Sequence, residues 1–253
     1  ADIREAAECD DVKAIVFRVN SPGGSAVGSD VIWREIERAQ EAGKPVVVSM
    51  SSVAGSGGYW IAMGADAIVA HPTTITGSIG VVFGKLNVRG FYEWIGANVE
   101  SISFAENADL LGPFETMSEE DRAQVRGVME SLYEHFKAKV AEGRGMEPDK
   151  VESLAKGRIW SGVDAKANGL IDELGGLDTA VALAAEKAGL APENIYLVVF
   201  PEPKSFFEQV LEGELEATTP NVGAALDPAT AQAILEDLAR PRPWAWMPEI
   251  RVR

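Results

Sequence analysis

One cysteine and two histidines are all the thiol and imidazole ligands in this sequence of 253 residues. A lone Cys9 excludes an internal disulfide framework and any cysteine metal cluster. His71 and His135 are too few for a histidine-rich metal centre, so neither a metal nor another cofactor is expected. Cationic side chains are scarce as well. Lys and Arg number 23 against 39 Asp and Glu, which leaves a net charge of −16. A polyanion repels a phosphate backbone, so nucleic acid is excluded as a partner. No apolar run is long enough to span a bilayer. Internal repeats, low-complexity tracts and lipidation motifs are missing too.

What remains is a composition that folds. With 46% hydrophobic and 25% charged residues, the chain has material for a sizeable core. Strand and helix patterns alternate from Val12 onward. Val12–Val19 and Val46–Met50 read as strands, and Val27–Ala42 between them as an amphipathic helix with its apolar face at Val27, Val31, Ile32 and Ile36. Ala67–Ala70, Val99–Phe104 and Ile195–Phe200 read as further strands. Glu119–Glu142, Pro148–Lys156, Ser161–Asn168 and Asp178–Ala188 read as helices, and Phe91–Ile95 as a short one. Thr73–Gly80 reads as a loop. Such alternation predicts an α/β fold with a mostly parallel sheet covered by helices. Beyond Pro201 a helix over 205–216, a loop over 218–228 and a helix over 229–239 are expected. The chain divides into a domain over 1–190 and a carboxyl-terminal extension over 191–253. It opens inside a helix with no strand before it, which predicts a fragment of a longer protein.

Two glycine turns stand out. Ser21-Pro22-Gly23-Gly24 follows the first strand, and Gly55-Ser56-Gly57-Gly58 follows the second. Ser56 lies where a strand hands over to a helix. The free N–H groups of that helix would point back at it and stabilise developing negative charge. The alternative is that Ser56 merely caps the helix. In a parallel sheet both turns lie at the carboxyl edge, where ligands bind. They should therefore face each other, with N–H groups of Gly23 or Gly24 and of Gly57 converging beside the Ser56 hydroxyl. That arrangement is an oxyanion hole.

The segments VKAIVFRVNSPGGS (12–25), GKPVVVSMSSVAGSGGYWIA (43–62), IVAHPTTITGSIGV (68–81) and GRIWSGVDAKANGLIDELGG (157–176) together resemble the S49 serine peptidase family of signal peptide peptidases. The resemblance implies a crotonase/ClpP-like fold and cleavage of remnant signal peptides by a Ser–Lys dyad. It implies Ser56 as nucleophile, Gly23 and Gly57 as oxyanion-hole donors, and Gly24 and Gly58 against the substrate backbone. It implies a homo-oligomer at the bacterial inner membrane, with this domain on the extracytoplasmic side.

The dyad's base is where the sequence departs from that pattern. In single-repeat members a lysine follows the last sheet strand, and here Ala108 in Asn107-Ala108-Asp109-Leu110-Leu111 takes its place. Tandem-repeat members draw the lysine from the amino-terminal repeat, and this chain resembles the carboxyl-terminal one. Lys44 is expected on the far edge from Ser56. Lys85 and His71 are weak candidates for a base, and His135 reads as partly buried structure. The competing reading of the whole chain is a non-catalytic peptide-binding or assembly repeat. The basic stretch Arg240–Arg253, with Trp244 and Trp246, is expected to contact a neighbouring subunit.

Overall fold

Everything in the sheet pairs, directly or at one remove, with a single strand. The computed structural model describes residues 2–104, 108–191 and 195–201. Its elements in order are α1 (Asp2–Glu8), β1 (Ile15–Ser21), α2 (Ala26–Glu41), β2 (Val46–Gly55) and α3 (Gly57–Trp60). Then come β3 (Ala67–Ala70), β4 (Ile75–Gly77), α4 (Arg89–Trp94), α5 (Glu119–Arg144) and α6 (Pro148–Leu154). The last are β5 (Ile159–Ser161), α7 (Gly162–Asn168), β6 (Glu173–Leu174) and α8 (Leu177–Lys187).

β2 is the hub because Val46, Val47 and Val48 are β-branched and its positions 46–51 are all buried, with side chains packed on both faces. β1 runs parallel to it along one edge. The other edge is shared. β3 pairs with Val47–Met50, and β4 pairs farther along with Val53–Gly55. Thr74 bridges the gap, since its Oγ1 accepts from His71 N at 3.0 Å and donates to Ser51 O at 2.6 Å. The sheet therefore forks at Ser51. One arm continues through β3 to β6 in parallel, and the other through β4 to β5 in antiparallel register. The fold is mixed α/β with four of its five pairings parallel.

Helix ends follow ordinary capping chemistry. Ser25 accepts from Gly28 N at the start of α2. Ser118 and Asp121 form a reciprocal capping box on α5, and Gly145 ends that helix in the left-handed conformation. α2 is rotated from its expected orientation. It buries Ser29, Trp33, Ile36 and Ala39, and leaves Val27 73% and Val31 57% exposed. Trp33 decides this, because its ring joins the central core with Tyr59, Trp60, Met63 and Phe136. A tryptophan is among the largest apolar side chains a helix can bury.

Two expected strands are not formed. Residues 99–104 and 195–200 carry no ladder, and Ile102, Phe104, Tyr196 and Leu197 are exposed. In turn β4 lies in the segment read as a loop, and β5 and β6 lie where no strand is expected, with Ser161 of β5 read as the start of a helix. The elements and the basic stretch expected beyond Pro201 lie outside the described residues.

α6 is fastened to α5 by charge. Glu152 accepts from Lys137 Nζ at 2.7 Å and from Tyr133 Oη at 3.2 Å, and Lys156 Nζ lies 3.2 Å away. The hydrogen bond from Lys137, then that from Lys156, pulls the Glu152 carboxyl down to about 2 from its ordinary 4.5. A depressed folded-state pKa gives stability that is present above pH 4.5 and disappears as pH falls toward 2. Glu152→Gln should therefore unfold at lower urea than the parent at pH 7. The gap should close on acidification to pH 2, and a pH-independent gap would show that charge is not its source.

Candidate active site

The hinge between β2 and α3 is a single residue. Gly55 pairs with Gly77, and Ser56 N donates to Gly77 O at 2.9 Å. Tyr59 N and Trp60 N both donate to Ser56 O at 2.9 Å, so the helix starts at once. Linking these two directions requires φ 52° and ψ −120° at Ser56, which is rare for a residue with a Cβ. Such backbone costs about 1–3 kcal/mol and persists only where the surroundings enforce it. Ser56 occupies the N-cap position of α3, yet its side chain makes no cap hydrogen bond. The simple capping role is thus excluded, and the half-buried hydroxyl is left to other uses.

What holds the hinge lies just after it. Tyr59 is fully buried, and its Oη donates to Leu170 O at 2.8 Å. Burial pushes its phenol well above the ordinary value, so it stays a donor. Trp60 packs its ring 4.5 Å from that of Phe136 on α5. The short helix is therefore pinned on two sides, and the strain at Ser56 cannot relax by moving it.

The first glycine turn closes over the second. A register shift between Val19 and Ser21 swings the end of β1 so that Ser21 pairs with Ala54. Gly23 and Gly24 then follow at φ 115° and 153°. A β-carbon on Gly23 would lie 2.7 Å from Ser56 Cβ and 2.9 Å from Gly57 N. One on Gly57 would lie 2.5 Å from Ser29 Oγ and 3.2 Å from Gly24 N, and one on Gly58 2.3 Å from Ser21 O. The structure thus brings Gly23, Gly24, Gly57 and Gly58 around Ser56. As the first residue of α3, Gly57 has no carbonyl one turn back to accept its N–H. Gly23 N–H is engaged: it donates to Ser21 Oγ at 3.2 Å.

Three residues here carry no signal of their own in the sequence. Ser21 and Ser29 line the turns as small polar residues among many. Ser78 packs its Cβ 3.4 Å from where a Gly55 β-carbon would stand, and it too is held at positive φ, 51°.

Among the described residues no lysine or histidine hydrogen-bonds Ser56 Oγ. Ala108 is exposed. Lys44 Nζ donates to Ala6 O and Cys9 O, which fastens α1 at the other end of β2. Lys85 Nζ donates to Leu110 O at 2.9 Å. His71 is an exposed loop residue against Thr73 Oγ1. His135 is 48% exposed rather than buried, with Nε2 3.8 Å from Asp30 Oδ1. Among the described residues no helix is long and apolar enough to cross a membrane.

Sequence comparison agrees with this geometry. The family model described as Peptidase family S49 matches residues 38–191, which hold β2, Ser56 and both arms of the sheet. A protein of Arabidopsis thaliana named "Serine protease SPPA, chloroplastic" is 43% identical over 83% of this chain and 31% of its own length. "Protease 4" of Salmonella typhi is 42% identical over 90% of this chain and 37% of its own. An Enterococcus faecium protein provisionally named signal peptide peptidase SppA is 36% identical over 70% of this chain and 52% of its own. The chain thus spans about a third of the first two relatives and half of the third. A strained serine within the second of two glycine turns, inside a family match covering more than half of the residues, makes this chain a member of peptidase family S49.

Proposed function

We propose that this chain is the serine-bearing repeat of a signal peptide peptidase, and that it hydrolyses peptide bonds through an acyl-enzyme on Ser56. The observation that carries the reading is Ser56 itself. A non-glycine residue is held at φ 52°, pinned from both sides, with its hydroxyl not spent on the helix it starts.

In this mechanism Ser56 Oγ attacks the scissile carbonyl carbon and gives up its proton to a neutral lysine. The lysine comes from the amino-terminal repeat, since Ala108 cannot supply it. The carbonyl oxygen becomes an oxyanion between the N–H groups of Gly23 and Gly57. Collapse breaks the C–N bond, the leaving amine takes the proton, and an ester remains on Ser56. Water activated by the same base then hydrolyses the ester. Gly24 and Gly58 let the substrate backbone come close, which suits an extended peptide. Remnant signal peptides are such substrates, and they place the enzyme at a membrane. No cofactor takes part.

The forked sheet is the core of a crotonase/ClpP-like fold in this reading. Assembly is part of it too. Among the described residues from Val82 to Leu111, eight large apolar side chains are more than half exposed, Val82, Leu86, Trp94, Ile102 and Phe104 among them. Patches of that kind mark contacts with another chain or repeat.

Ala108 favours a second reading, a repeat that binds peptide or holds an assembly without chemistry. A fluorophosphonate probe separates the two. The full-length protein should label at Ser56, the Ser56→Ala variant should not, and the isolated chain should label far more slowly. Absence of labelling in the full-length protein would leave only the assembly reading.

A further inference from the structure

An oxyanion hole built on Gly23 needs its N–H to receive negative charge, yet that N–H already has a partner. It donates to Ser21 Oγ at 3.2 Å, two residues back across Pro22. Proline has no N–H, so Gly23 supplies the first one after Ser21. On its other side Gly23 and Gly24 both adopt φ values open mainly to glycine. Gly23 is packed against Ser56 and Gly57, and the bond to Ser21 Oγ orients its N–H. Ser21 is held firmly. It ends β1 in register with Ala54, and its carbonyl and Cβ lie 2.3 Å and 3.3 Å from where a Gly58 β-carbon would stand. Its hydroxyl therefore hangs from a fixed backbone, and the Gly23 amide is tied to it.

We propose that Ser21 is a positioning residue that holds Gly23 N–H in its working direction and yields it when the oxyanion forms. This rests on the peptidase reading above. A bond of 3.2 Å to a neutral hydroxyl is at the long end of its range. A substrate carbonyl is also a neutral acceptor and gains little by displacing it. An oxyanion makes a shorter, charge-assisted bond roughly twice as strong, so the exchange becomes favourable only as charge develops. The exchange itself costs the Ser21 bond; what Ser21 contributes is an amide already ordered when the oxyanion forms, so that no orientation has to be found during the reaction.

The test is Ser21→Ala in the full-length protein, with peptide turnover, KM and the affinity of a peptidyl boronate measured together. Turnover should fall on the order of tenfold, less than the 10²–10³ that loss of an oxyanion donor costs. KM should stay within about twofold, because substrate binding does not use this exchange. Boronate affinity should fall by the same factor as kcat/KM. Ser21→Thr, which keeps the oxygen, should recover most of the loss. Ser21→Cys, a weaker acceptor of similar shape, carries the same test if the alanine variant melts early. Turnover unchanged or raised in Ser21→Ala, with labelling still confined to Ser56, overturns the role of Ser21 alone. Parent activity that survives Ser56→Ala overturns the peptidase reading and this role with it.

Discussion

Replacing Ser56 with alanine in the full-length protein is expected to lower peptide turnover by on the order of 10⁴–10⁶-fold, the range seen when a nucleophile is removed. The fold should hardly notice. The hydroxyl makes no cap bond, so its loss leaves no buried group unpaired. The backbone gives a second readout. At φ 52° and ψ −120° alanine is as strained as serine, whereas glycine is not. Ser56→Gly should therefore be as inactive as Ser56→Ala but melt above it, despite the extra entropy glycine brings to the unfolded chain. A protein that evolved only for stability has no reason to keep a β-carbon there. Full turnover in Ser56→Ala would end the nucleophile assignment, and a glycine variant melting below the alanine one would end the strain argument.

That the hinge could be found in the sequence follows from its chemistry. A β-branched run of three valines, then small residues with glycines on both sides of Ser56, can form little else than a buried strand turning sharply into a helix. The two glycine turns follow consecutive strands of a parallel sheet, so topology alone puts them on one edge. The structure adds why each position is small: Gly23 meets Ser56, Gly57 meets Ser29, and Gly58 meets Ser21. Those partners were hidden because a serine reports nothing of its neighbours until the register shift between Val19 and Ser21 is known.

The errors have a common cause. Val99–Phe104 and Ile195–Phe200 have the residues of strands, but β propensity measures fit to a pleated, half-buried surface and needs an edge to pair with. Neither segment finds one within the described residues. β4, β5 and β6 have the opposite problem. They are two or three residues long, shorter than any period can reveal, and exist because β2 offers an edge to β4, β3 to β6, and β4 in turn to β5. The α2 face departs from the expected one for a similar reason. Val27 and Val31 match a helical stripe, but the buried stripe is the one carrying Trp33.

The second large effect is expected at Gly57. Its φ is not positive, so the backbone there does not require glycine, unlike that of Gly23 at φ 115°. Space does. A valine β-carbon would stand 2.5 Å from Ser29 Oγ, 3.2 Å from Gly24 N and 3.4 Å from Gly23 Cα. The first contact is with a side chain, which can give way; the other two are with the backbone of the opposite turn. Gly57→Val must push the turns apart, and the N–H groups that are to converge on one oxygen then no longer do. Turnover should fall by at least about 10², the loss expected when one donor is misplaced. Crowding should cost about 1–3 kcal/mol of stability. The two effects can be separated. Gly57→Ala combined with Ser29→Ala removes the hydroxyl that meets the new β-carbon but leaves the contacts with Gly24 and Gly23. The double variant should regain most of the melting temperature lost by Gly57→Ala, and little of the turnover. If both return together, Gly57 is small to accommodate α2, and the opposite glycine turn is not the partner that chemistry depends on.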